Sequence, residues 1–101
     1  MYRIEITATA KSEIQKAYDW YGEHLPAGAE RWLNGLLRKI ETRKRQPARC
    51  PRARESDAFA IPVRQILYGK RGGAYRALFQ IINEAVFILH VRHAARADVE
   101  P

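Results

Sequence analysis

The chain of 101 residues carries 18 Lys and Arg against 11 Asp and Glu, a formal charge of +7, with 47% hydrophobic residues. That length predicts one domain over residues 1–101, and that apolar content excludes a disordered chain. The longest apolar run, Ala85–Leu89, is too short to span a bilayer, which argues against a membrane protein, and Met1–Ile6 lacks the apolar core of a signal peptide. Cys50 is the single cysteine, so no internal disulfide can form, which points to a reducing cytoplasm.

Residues 2–7 alternate, with Tyr2, Ile4 and Ile6 on one side and Arg3, Glu5 and Thr7 on the other, and predict a half-buried strand. A helix follows, capped by Thr9 or Ser12, with Ser12 and Gln15 at capping-box spacing. Ile14, Ala17, Tyr18, Tyr21 and Leu25 form its apolar stripe, and it ends near Leu25-Pro26. Pro26-Ala27-Gly28 reads as a short link to a second helix whose face carries Ala29, Trp32, Leu33, Leu36, Leu37 and Ile40. From Gln46 to Pro62 the apolar period vanishes, and Pro47, Pro51 and Pro62 mark a long surface loop.

Three strand-like runs complete the chain: Val63–Tyr68, Tyr75–Ile82 and Ala85–His93. Gly69, Gly72 and Gly73 separate the first two, and Asn83-Glu84 makes a tight turn between the others. The run Tyr75–Ile82 is apolar on both faces and belongs at the centre of a sheet. The expected fold is therefore α+β in the order β-α-α-β-β-β. A helical hairpin over residues 10–45 packs on one face of a mostly antiparallel four-stranded sheet.

Several residues carry chemistry. Arg43, Lys44, Arg45, Arg49, Arg52 and Arg54 crowd the end of the second helix and the loop after it. Six cations exceed what a helix C-terminus requires, so this run is expected to meet a phosphate or an acidic partner. Aromatic residues are not interleaved there, so base stacking is not indicated. Arg76 lies inside the most apolar run, where its charge needs either an internal carboxylate, Glu5 or Glu84, or an open anion-binding face. Alternation puts His90 on one face with Val86, Ile88 and Arg92, as a structural residue, and sends His93 to the other. Two histidines so placed do not make a metal pair, and no cofactor motif is found. His93 ends the strand, where it could carry a proton beside Arg96 at the rim of a face that also holds Arg76.

The element order, the segment Gly73-Ala74-Tyr75-Arg76 and the ending Leu89-His90-Val91-Arg92-His93-Ala94-Ala95-Arg96 resemble the RelE/ParE family of toxins from type II toxin–antitoxin modules, also labelled plasmid-stabilisation proteins. The resemblance covers nearly the whole chain and implies a small acidic antitoxin encoded beside it. Two branches follow from it. RelE-like members are ribosome-dependent mRNA interferases; that branch would make Arg76 and His93 catalytic residues of an endoribonuclease. ParE-like members act on DNA gyrase and are not nucleases. The ending His93-Ala94-Ala95-Arg96, with no tyrosine after Tyr75, is similar to the ParE-like pattern. Arg43, Lys44, Arg45, Arg76, Arg92 and Arg96 are then the expected contacts to target or antitoxin. A basic nucleic-acid-binding or degenerate partner protein without toxicity is the remaining reading.

Overall fold

A computed structural model describes residues 1–69 and 75–101. Strands β1 (Arg3–Ile6), β2 (Arg64–Tyr68), β3 (Tyr75–Ile82) and β4 (Ala85–His93) form one sheet in the order β1-β4-β3-β2. β1 runs parallel to β4, with Ile4 opposite Val86, and the other two pairings are antiparallel. The expected strand boundaries hold to within a residue. β3 is central, as its two apolar faces require: Phe79 and Leu78 are both fully buried, on opposite sides of the sheet. Asn83 takes the left-handed φ of 56° that the short turn between β3 and β4 demands. The Gly72-Gly73 turn and the Gly73-Ala74 half of the quoted segment lie outside the described residues.

Helices α1 (Ala8–His24) and α2 (Pro26–Glu41) cover one face. The cap of α1 is Thr7, not Thr9 or Ser12. Thr7 still has extended backbone, so its Oγ1 can accept from Ala10 N–H at 3.2 Å while donating to the Ile88 carbonyl at 2.8 Å. One side chain thus caps the helix and ties it to β4. Pro26-Ala27-Gly28 is not a link but the first turn of α2. Proline suits that position because a first-turn N–H has no helical acceptor. Leu25 alone joins the helices and is exposed rather than part of the stripe. On α2, Ala29, Trp32, Leu36 and Ile40 are buried, Leu33 is partly buried, and Leu37 turns out to solvent. Gly35 lets the Tyr68 ring lie directly across α2, where its hydroxyl donates to the Trp32 carbonyl at 3.0 Å.

The segment 46–62 is not a plain surface loop. It contains the 3-10 turns Pro47–Arg49 and Ser56–Ala58, Arg52 bridges to Arg64 beside β2, and Cys50, Ala53, Glu55 and Ser56 are buried. Cys50 joins the main cluster, and the stretch from Ala53 onward covers the sheet face opposite the helices. There Ala53, Val63, Leu78 and Val99 make a second, smaller cluster. The main cluster, around Leu36, Phe79, Val86 and Ile88, fills the helix side.

β4 carries one extra residue. Phe79 pairs with Ile88 and Leu78 with His90, so Leu89 bulges without a partner. The bulge breaks the alternation on which the placement of His90 rested. Ile88 and Val91 both face the helices, and His90 shares the opposite face with Leu78, not with Val86 and Ile88.

Two substitutions probe this packing. Trp32→Ala is expected to cost about 3–5 kcal/mol in urea denaturation, because the indole is part of the main cluster; a loss under about 1 kcal/mol would place it outside the core. Gly35→Ala would gain about 1 kcal/mol in an open helix. Here a Cβ would stand 2.0 Å from the Tyr68 hydroxyl, so the variant is expected to lose stability.

Candidate functional site

Arg76 sits mid-sheet with its side chain on the helix-free face and is 3% exposed. Its Nη1 donates to Glu55 Oε1 at 2.9 Å and to Gln65 Oε1 at 3.1 Å, and its Nη2 donates to Glu55 Oε2. That second Glu55 oxygen also accepts from the Val99 N–H at 3.1 Å. The internal carboxylate is therefore Glu55, rather than Glu5 or Glu84. Glu5 lies on the edge strand β1 and Glu84 in the β3–β4 turn, whereas Glu55 arrives from the segment that covers this face. Arg76 beside it, helped by the Val99 amide, holds the Glu55 carboxyl down at about 2 against the opposing effect of burial.

Arg92 stands directly across from Arg76 on the neighbouring strand. Like charges so placed repel, and each has its own carboxylate: Arg76 has Glu55, and Arg92 Nε lies 3.7 Å from Glu13 Oε2. Nothing in the sequence singles out Glu13, a polar position on α1. β1 ends at Ile6, which leaves the outer edge of β4 open beyond Ile88. Glu13 fills that gap: its Oε1 accepts from Val91 N–H at 3.0 Å and lies 3.2 Å from His90 Nδ1. An unpaired strand amide is a strong enough demand to fix a helix carboxylate there.

His93 pairs with Tyr75 and so faces the helices, while Arg76, one residue along, faces away. The expected rim carrying Arg76, His93 and Arg96 on one sheet face is not assembled. His93 Nδ1 accepts from the Ala95 N–H at 3.1 Å, and its ring meets Tyr75 edge-on at 5.4 Å. Tyr75 also packs on Trp32 at 5.1 Å, and burial, with the nearby Tyr21, raises its phenol pKa. Arg96 is exposed.

The basic run divides between two recesses. Lys44, Arg45 and Arg49 line an open pocket of about 840 Å³ with Met1 and Tyr2, and Lys44 also pairs with Glu41 at 2.5 Å. Arg43 turns toward a second recess of about 490 Å³ with Lys39, Cys50 and Leu67. Arg54 leaves the run altogether, donating to Asp98 and to the Arg96 carbonyl.

Residues 4–98 match the family described as the ParE toxin of the type II toxin–antitoxin system parDE. No protein of curated function matches the chain in sequence. Among solved structures, the chain is similar to one titled as the chromosomal ParDE TA system from P. aeruginosa. The TM-score is 0.76 at 17% identity, over 92% of this chain and 96% of the other. At that identity the likeness is one of fold, and it agrees with the α+β arrangement described above.

The Glu55 carboxyl sets an acid limit. Its value is depressed in the folded chain from 4.5 to about 2, so its contribution is complete above pH 4.5 and is lost as pH falls from there toward 2. The loss is on the order of 3 kcal/mol. Urea unfolding measured at pH 7 and pH 3 should show about two thirds of it. Glu55→Gln should flatten this step and lower stability at pH 7 by about 3–5 kcal/mol, since Arg76 is left buried without a counter-charge.

Proposed function

The chain belongs to the ParE toxin family of type II toxin–antitoxin systems, and on that premise we propose that it stops growth by binding DNA gyrase through protein contacts. The observation that carries this reading is the separation of Arg76 from His93. RNA cleavage through the 2′-OH requires a base, an acid and a cation gathered around one phosphorane. Here the central cation is buried against Glu55 and lies on the opposite sheet face from the histidine. With that pair parted, the nuclease branch lacks an assembled centre among the described residues, which supports the protein-contact branch. The exposed Arg96 and the half-buried Arg92 are then the cations of the β4 end available to a target.

The partner we propose is a cognate acidic antitoxin, and the site we assign to it is the basic run after α2. The +7 charge favours such a partner, and Arg45 and Arg49 stand exposed around a pocket that Tyr2 also lines. The cytoplasm, where gyrase acts, is the compartment this reading requires, and the unpaired Cys50 is compatible with it. No helix among the described residues is long and apolar enough to cross a membrane. Residues 1–101 are proposed to act as one toxin domain.

Purified protein is expected to inhibit supercoiling by gyrase and to leave cell-free translation untouched. Cleaved message and intact supercoiling would reverse the assignment in favour of the interferase. For the antitoxin, a variant with Arg43, Lys44 and Arg45 changed to Glu should bind more weakly and with a shallower salt dependence. Equal affinity across a salt series would remove this run from the interface.

A further inference from the structure

Four aromatic rings that are far apart in the chain close into one recess. Trp20 and Tyr21 come from α1, Tyr75 from the start of β3 and His93 from the end of β4, and they line a cavity of about 360 Å³. Trp20 remains 50% exposed, with Tyr21 edge-on at 5.3 Å and the His24 ring stacked on it at 4.2 Å. Such an indole adds little to the core, yet it is held in a defined position.

Tyr75 and His93 also line an adjoining recess of about 310 Å³, whose rim carries Lys16, Arg92 and Arg96. Lys16 and Arg96 are exposed and make no ion pair among the described residues. Glu13 is the carboxylate of this recess, and His90, the Val91 amide and Arg92 already surround it. The aromatic recess therefore opens onto a rim with unmatched positive charge.

A box of rings alone would attract a cation through the negative faces of the rings. Lys16 and Arg96, on the adjoining recess that shares Tyr75 and His93, oppose that. A planar group with its own π-face and a negative charge beside it satisfies both halves. Base stacking on aromatic side chains with cations along the backbone is how single strands are held without sequence preference. We propose that this composite recess binds an unpaired nucleotide of a single-stranded nucleic acid, with the base among Trp20, Tyr21, Tyr75 and His93 and the flanking phosphates on Lys16 and Arg96. The proposal involves no cleavage and does not rest on the gyrase reading.

The test titrates the full chain into end-labelled oligothymidine and oligouridine of about eight nucleotides, following anisotropy and tryptophan emission together. Binding should quench the emission. Trp20→Ala should abolish the quench and weaken binding about tenfold or more, while Trp20→Phe restores most of the affinity. Lys16→Ala and Arg96→Ala should each reduce the slope of log K against log salt by about 0.7. Trp20 is half exposed, so its variants are expected to keep the native far-ultraviolet dichroism. A preference for oligouridine would assign the site to RNA through the 2′-OH, and equal affinity would assign it to base and phosphate alone. Unchanged affinity in a folded Trp20→Ala protein overturns the proposal. So does equal quenching by an acidic peptide that carries leucines but no bases, which would make the recess a peptide site.

Discussion

The buried pair between Arg76 and Glu55 is the constraint on which the helix-free half of the molecule depends. It joins the start of β3, the segment 46–62 and the tail at Val99, three stretches with no local reason to meet. Desolvating two charges is costly, and such a pair contributes little net stability over well-packed apolar residues. What it provides is arrangement. Once Arg76 occupies the central strand on that face, a carboxylate has to come to it. The chain that brings Glu55 also brings Ala53 and Val63 over Leu78. Without the pair, the face would expose a guanidinium inside an apolar strip.

A second constraint is the single extra residue of β4. The bulge at Leu89 turns His90 to the face of Leu78 while keeping Val91 with the main core. It comes just where β1 ends, so β4 loses its neighbour and its regular pleat at the same level. Glu13 answers both, taking the Val91 amide and the side chains of His90 and Arg92. The N-terminal half of α1 is thereby locked against β4 by Thr7 and Glu13 together. Beyond this lock the strand sends His93 to one side and Arg92 to the other, and the chemistry of the two faces diverges.

The outcome is a toxin-family fold whose charges are sorted by depth. Arg76, the most deeply placed arginine among the described residues, is neutralised inside the protein, and those after α2 and at the end of β4 lie nearer solvent. A protein that acts by surface contact can be built this way, because its cations need only be displayed. A nuclease needs them converged on one phosphate. The recess of rings near the closed end of the helical hairpin adds a surface of different character, aromatic within and basic at its edge.

Period and punctuation were enough for much of the architecture. Alternation marked all four strands to within a residue, the double-sided apolar run placed β3 centrally, and the two stripes required a helical hairpin over a sheet face. These are local demands, since a side chain's period along the chain determines which face it presents. The same local reading was less sure at boundaries: Thr7, still extended, capped α1, and Pro26 opened α2 instead of preceding it. What the sequence could not disclose were the meetings of distant residues. Glu55 had no period to betray it, Glu13 looked like any solvated helix carboxylate, and nothing near Trp20 announced Tyr75 or His93. A bulge of one residue was invisible as well, and it alone decided the face of His90. The class of fold follows from patterns that each segment carries within itself. The partner of a buried charge follows from which segments the tertiary structure brings together, because desolvation rewards whichever opposite charge arrives, whatever its distance along the chain.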